Sequence, residues 1–249
     1  KTSFSSTPKF GKKEKEVRGR DISPEEIVEK ALHYGCQSIS YTYTEPTIFY
    51  DYAYSTAILA KEKGLKNNFV TNGYINEEPL RKISPFLDAA NVDLKSFRED
   101  FYKKMCGGHL GPVLKTLELM KKLGVWVEVT TLIIPGYNDS QEEIKEIANF
   151  IKGLGAETPW HISRFFPTYK LLDASPTPIS TLKRARELGK EIGLRYIYTG
   201  NIPGDEGENT YCYNCGKLVI KRLGFEVLEN RLNEGRCPFC STPINGRGL

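Results

Sequence analysis

The chain has 249 residues, of which 39% are hydrophobic and 11% aromatic, with a formal net charge of +4. That length suits one α/β domain of barrel size with room for a small appendage, and no apolar run approaches the roughly 20 residues of a membrane-spanning helix. Residues 1–20 carry seven Lys or Arg and two Glu, which leaves the remainder at −1, a balance that gives no sign of the basic stripe expected of a nucleic-acid binder.

The basic residues 1–20, rich in Ser, Lys and Gly, read as a flexible segment and contain no apolar core of a signal peptide, so a cytoplasmic location is expected. Because the first residue is Lys1, the chain is expected to start partway into a longer gene product. A helix begins at Asp21-Ile22-Ser23-Pro24-Glu25-Glu26, which offers a cap, a first-turn proline and acidic residues, and it ends at Gly35. Residues 37–44 form a strand, and Pro46 opens a long helix that stops at Lys63-Gly64. A strand over 68–71, a short helix over 77–87 and a strand over 90–95 follow. The helical stretch 99–123 is split by Gly107-Gly108 and Gly111-Pro112. A strand over 126–134, a capped helix over 140–155, a strand over 160–166, a helix over 179–193 and a strand over 195–199 complete the series.

Six strands alternating with helices imply a mainly parallel sheet. Tyr43-Thr44-Glu45-Pro46, Val70-Thr71-Asn72-Gly73, Asp93-Leu94-Lys95 and Leu132-Ile133-Ile134-Pro135-Gly136 each close one apolar run. At the carboxyl ends of parallel strands such clusters converge on one face and form one site. Taken singly, Glu45 also serves as a helix cap, Asp93 and Lys95 as a structural ion pair, and Asn72-Gly73 as a turn. Lys95 beside Asp93 would also suit a Schiff-base aldolase.

Beyond Gly207, Cys212-Tyr213-Asn214-Cys215 and Cys237-Pro238-Phe239-Cys240 are two C-x-x-C knuckles 21 residues apart. Four thiolates from two tight turns surround one metal tetrahedrally, as in a zinc ribbon, with zinc preferred over iron and a structural role. Strand-like residues 218–220 and 225–228 link the knuckles. Two disulfides are the alternative, better suited to a secreted chain. Cys36 and Cys106 read as packed thiols. The expected division is 1–20 as a basic segment, 21–205 as a barrel and 206–249 as the four-cysteine module.

The order TEPT, TNG, DLK, IIPG and then His161-Ile162-Ser163-Arg164-Phe165-Phe166-Pro167 resembles the radical S-adenosylmethionine (SAM) enzymes, above all relatives of pyruvate formate-lyase activating enzyme. The TEPTI wording, the HISRFFP strand and the terminal cysteine pairs resemble the AmmeMemoRadiSam-system members. The resemblance spans about residues 20–245 and implies a partial (β/α)6 TIM-like barrel with a [4Fe-4S] cluster on a C-x3-C-x2-C loop after the first strand. That loop does not occur in the sequence, and its place would be upstream of Lys1; without it the chain would act as a binding module.

Carried over by resemblance, Thr44 and Glu45 take the place of the Gly-Gly-Glu element that receives the SAM amino group. Asp93, Leu94 and Lys95 match the DLK motif that flanks the polar end of SAM, with Asp93 and Lys95 as catalytic candidates. Thr71, Asn72 and Gly73 match TNG, with Val70 where the family carries an acid. Thr130 and Leu132 would border the adenosine, and the family's histidine falls at or beside Thr168, leaving His161, Ser163 or Arg164 to make polar contacts. Arg164 could equally hold a neighbouring loop. The implied reaction is reductive cleavage of SAM and hydrogen abstraction from a protein or small molecule, with an electron donor such as ferredoxin or flavodoxin.

Overall fold

The structure, a computed structural model, describes residues 20–247; the basic segment expected over 1–20 lies outside them except for Arg20. Seven helices and six parallel strands alternate: α1 (Pro24–His33), β1 (Ser38–Tyr41), α2 (Tyr50–Glu62), β2 (Lys66–Thr71), α3 (Glu77–Ile83), β3 (Ala89–Asp93), α4 (Glu99–Phe101), α5 (Leu110–Lys122), β4 (Trp126–Ile133), α6 (Gln141–Leu154), β5 (Trp160–Arg164), α7 (Ile179–Ile192) and β6 (Ile197–Gly200). The sheet runs in chain order from β1 to β6, every pair parallel, and is open between its first and last strands. This is the partial (β/α)6 barrel.

Local chemistry sets the boundaries. Ser23 and Ser140 cap α1 and α6, their hydroxyls accepting from the Glu26 and Glu143 amides. The first strand stops at Tyr41 rather than running to 44, because Tyr43 takes a left-handed φ of 70° and Thr44 N donates back to Thr42 O. Pro46 opens a 3-10 turn (Pro46–Phe49) before α2 instead of α2 itself. After β3, α4 runs into a π-helical turn (Tyr102–Cys106) that Gly107 ends at φ 68°. The stretch is thus split in two as expected, at Gly107-Gly108, while Pro112 sits in the first turn of α5, where its missing N–H is not needed.

The apolar core lies between the sheet and its helices, with Phe69, Val92, Val129, Trp160 and Ile162 of the strands packed on Ala57, Leu117, Ile147 and Leu188. Burying each of the large side chains contributes about 1.5–3 kcal/mol. The other, concave face of the sheet is polar and part-exposed, which frees it for ligand binding.

A second, antiparallel sheet of β7 (Thr210–Tyr211), β8 (Leu218–Leu223) and β9 (Glu226–Asn230) carries the cysteine knuckles. Its small core of Cys212, Val219, Ile220, Cys237 and Ile244 includes Tyr196 from the edge of the barrel. No helix among the described residues is long and apolar enough to cross a membrane.

Candidate functional site

Side chains alternate across each strand, so every second residue faces away from the helices. Burial identifies the concave set: Asn68 and Val70 on β2, Asn91 and Asp93 on β3, Glu128, Thr130 and Leu132 on β4, His161 and Ser163 on β5, Tyr198 and Gly200 on β6. Pairing places Asp93, Thr130, His161 and Tyr198 in one transverse row. Leu132, Ser163 and Gly200 form the next row toward the carboxyl ends. At ~4.8 Å per strand, Asp93 and His161 stand roughly 10 Å apart across the row.

Glu45 is fixed between two strand ends. Its Oε1 accepts from Thr71 Oγ1 at 2.6 Å, and its Oε2 accepts from Asn72 N at 2.8 Å. Thr47 also donates to Oε1, through N at 3.4 Å and Oγ1 at 3.3 Å. The carboxylate therefore caps the turn at Pro46, the capping reading of this residue, and clamps the TNG turn to it. Asn72 Oδ1 accepts from Tyr74 N at 2.8 Å, and Gly73 N donates to Thr71 Oγ1 at 3.1 Å. Gly73 has φ 75°, and a Cβ there would stand 2.8 Å from Val92 Cγ1.

Lys95 Nζ donates to Asp93 Oδ2 at 2.8 Å, with 39% and 37% of the two side chains exposed. The backbone around them is anchored: Lys95 N donates to Tyr102 Oη at 3.1 Å, and Asn138 Nδ2 donates to Lys95 O at 2.7 Å. Leu94 is a correction. Its side chain is fully buried in the core, because alternation sends it to the opposite face from Asp93, and only its carbonyl is engaged, by Thr131 Oγ1 at 2.9 Å. Thr71 likewise turns inward, 4% exposed, and reaches the site through Glu45 alone.

The floor of the concave face holds a network that sequence reasoning missed. His161 Nε2 meets Glu128 Oε2 at 2.6 Å, and Trp126 Nε1 donates to Glu128 Oε1 at 3.0 Å. His161 stacks on Tyr198 with ring centroids 5.2 Å apart, and the Arg222 guanidinium lies 5.6 Å over the other ring contact, Tyr198. Burial pushes the Glu128 carboxyl up, but the His161 hydrogen bond and charge, with Trp126 and Arg222, hold it below the usual glutamate range. Thr130 Oγ1 donates to Asn91 Oδ1 at 2.8 Å. The available signal was periodicity: Glu128, Thr130 and Leu132 alternate with Val127, Val129 and Ile133, whereas a strand covered on both faces would be continuously apolar.

Three residues at and beyond the end of β5 diverge. Ser163 faces Gly200, where a Cβ would stand 2.8 Å from its Oγ. Arg164 holds the neighbouring loop: Nε donates to Thr177 O at 2.8 Å, and the guanidinium lies 4.7 Å over the Phe166 ring. Thr168 is exposed and bridges Leu171 in the loop beyond the strand, off the concave rows, because β5 ends four residues earlier. Cys36 and Cys106 are exposed rather than packed, the first lying past the end of α1 and the second at the end of the π turn.

Cys212, Cys215, Cys237 and Cys240 converge with all four sulfurs within 4.8 Å of one another. The Cys212–Cys240 and Cys215–Cys237 sulfurs are 3.6 Å apart. That is far beyond an S–S bond of about 2.05 Å and matches the edge of a tetrahedron with metal–sulfur distances of about 2.3 Å. The donor set fits a closed metal site, and the disulfide alternative falls.

Comparison with known proteins bears on the concave face. The model of the Radical SAM superfamily matches residues 3–151. The chain is 51% identical over 233 residues to uncharacterized protein MJ0808 of Methanocaldococcus jannaschii, covering 92% of this chain and 69% of that protein. It is 31% identical over 187 residues to the putative glycyl-radical enzyme activating enzyme MJ1227 of the same organism, covering 72% of this chain and 75% of that one. A solved domain of pyruvate-formate lyase-activating enzyme from Bacteroides vulgatus shares the fold, with a TM-score of 0.55 at 16% identity over 66% of this chain and 99% of that one. With its motifs at the ends of successive parallel strands, the chain belongs to the radical SAM superfamily.

Proposed function

We propose that the concave face binds S-adenosylmethionine against Glu45, Asp93 and Lys95, and that the enzyme abstracts hydrogen from a protein substrate. The observation that carries this reading is a carboxylate, Glu45, held from the loop after β1 against the end of β2, the strand next to β3, whose end presents the Asp93–Lys95 pair. When bound with a [4Fe-4S] cluster, SAM supplies a carbon-centred radical from its adenosyl group.

Glu45 offers its carboxylate to the ammonium of SAM's methionine part, and its orientation is set by Thr71 and Asn72 rather than by solvent. Asp93 and Lys95 present one acceptor and one donor to the remaining polar groups. Leu132, 38% exposed, gives an apolar wall beside Thr130 for the adenine. His161 and Ser163 lie further across the sheet, where the substrate would sit.

Three thiolates are needed to hold the cluster, and only Cys36 and Cys106 precede the four-cysteine module. The residues of this sequence do not supply that ligand set. The four-cysteine module is read as a structural zinc site.

A protein substrate is supported by MJ1227, named as a putative glycyl-radical enzyme activating enzyme. It is supported too by Tyr43, Tyr74, Met105, Tyr137 and Phe166, exposed on the loops after β1 to β5 around the mouth. A reduced ferredoxin or flavodoxin would supply the electron, in the cytoplasm. The Schiff-base reading gains nothing, because the part-exposed Lys95 side chain stands in no desolvated pocket.

The test is anaerobic incubation of the full gene product with iron, sulfide, reductant and SAM, reading 5′-deoxyadenosine. Cleavage that falls on Asp93→Asn and Glu45→Gln is the expected result. A protein with a complete cluster that leaves SAM intact would reject the proposal.

A further inference from the structure

The transverse row that starts at Asp93 continues into the four-cysteine module. Thr130, His161 and Tyr198 follow Asp93 strand by strand, and Tyr198 Oη lies 3.0 Å from Thr210 Oγ1 on β7. Asp93 and Tyr198 stand roughly 14 Å apart, three strand spacings of ~4.8 Å. The module therefore walls the concave face on the side opposite the Asp93–Lys95 pair.

Thr210 is fixed from within the module. Its Oγ1 accepts from Arg222 Nη1 at 2.7 Å, and Arg222 N donates to Asn209 Oδ1 at 2.7 Å, which ties β8 to the start of β7. The Arg222 guanidinium lies over the Tyr198 ring, and Tyr198 also packs on the module's core. On the barrel side, Tyr198 stacks on His161 with the two rings 25° from parallel, while Glu128 takes the His161 Nε2 edge. One hydrogen bond fixes one point of an imidazole and leaves its plane free to swing; a stacked aromatic neighbour removes that freedom. His161 is thus held at its edge by the barrel and on its face by a residue that the module grips.

We propose that Tyr198 is a positioning residue for His161 and that metal occupancy at the four cysteines sets it. With metal bound, Thr210 and Arg222 hold the Tyr198 ring against His161. Without it, β7 and β8 loosen, the Tyr198 ring is released, and His161 turns about its bond to Glu128. The consequence for catalysis rests on the reading of this face as the SAM-dependent site, with the substrate over His161; the coupling of metal to His161 does not.

The test is NMR of the histidine ring protons in the zinc-loaded protein, prepared without an iron–sulfur cluster, before and after the zinc is chelated, with metal content measured by elemental analysis. The chain has three histidines, of which His33 and His109 are exposed. Stacking on Tyr198 displaces the His161 signals upfield, and Tyr198→Leu supplies their unstacked position. Chelation is expected to move the His161 signals most of the way to that position and to leave those of His33 and His109 in place. Arg222→Met, with zinc retained, is expected to move them downfield as well while SAM affinity is unchanged, since Glu45 and Asp93 lie on the other side of the face. Should chelation unfold the whole chain, or Tyr198→Leu fail to fold, the direction of the shift in Arg222→Met still decides. His161 signals that stay in place on chelation, or that keep their wild-type position in Arg222→Met, overturn the proposal. A protein whose His161 responds in this way but that binds no SAM supports the coupling and rejects the SAM reading of the face.

Discussion

Glu45 and Asn72 are joined by a 2.8 Å hydrogen bond from a backbone amide to a carboxylate, which ties the loop after β1 to the end of β2. The same carboxylate takes the Thr71 hydroxyl, so the residue assigned to the SAM ammonium is oriented before any ligand arrives. Preorganisation of this kind lowers the cost of binding. Thr71→Val keeps the buried shape and removes the donor. It is expected to destabilise the fold by about 1–2 kcal/mol and to weaken SAM binding by about tenfold for a similar loss of free energy. Chemical denaturation and SAM titration on the same preparation check both.

Glu45→Gln leaves an acceptor for Thr71 or Asn72 but removes the charge. SAM affinity is expected to fall by tenfold or more, since a charge-assisted hydrogen bond contributes about 1.5–3 kcal/mol, while the thermal midpoint moves little. A large drop in stability with unchanged SAM binding would make Glu45 a capping residue only.

The Glu128–His161 contact makes a pH prediction. Burial raises the Glu128 carboxyl, but His161, Trp126 and Arg222 hold it below its ordinary value. A depressed carboxylate contributes stability that is fully present above its unfolded value and lost as pH falls through the folded one. The stability gap between wild type and Glu128→Gln is therefore expected to narrow from pH 6 toward pH 3, followed by urea denaturation at each pH. A gap that widens on acidification would show that Glu128 is not held charged.

The order of motifs was legible because parallel strands bring their carboxyl ends together, so TEPT, TNG and DLK had to meet. Within a motif, the residues that face the ligand were harder to separate. Leu94 and Thr71 sit inside matched triplets yet point to the helices, since a strand turns each neighbour over. Glu128 and Tyr198 went unnoticed for the converse reason. They lie mid-strand, and their partners His161 and Arg222 are 33 and 24 residues away, a pairing that strand register and the docked module create. Thr168 was misplaced because β5 ends at Arg164, and no local signal marks that end before Pro167.

The four-cysteine module has only a small core, so a metal held by its four thiolates is expected to carry much of its stability. Cys237→Ser is expected to reduce bound metal, measured by elemental analysis, from one per chain to below about one tenth, since structural sites of this kind need all four thiolates. Hydrogen exchange should then accelerate in β8 and β9 and in Tyr196 beside them, while β2 to β4 keep their protection. Equal acceleration throughout would mean that the module holds the whole barrel together.

Gly73 offers the sharpest steric prediction. Its φ of 75° is strained for any side chain with a Cβ, and the added atom would press within 2.8 Å of Val92 Cγ1 and 3.1 Å of Val113 Cγ1. Both valines are fully buried in the core, so they have little room to give. Gly73→Ala is expected to cost about 2–4 kcal/mol from backbone strain and overpacking together. Because Gly73 N also donates to Thr71 Oγ1, the shift should carry to Glu45 and lower SAM affinity beyond what Thr71→Val does. Denaturation midpoints and SAM titrations of the two variants, compared side by side, separate a local turn defect from a displaced clamp. Full stability in the alanine variant would mean that the turn relaxes without disturbing either neighbour.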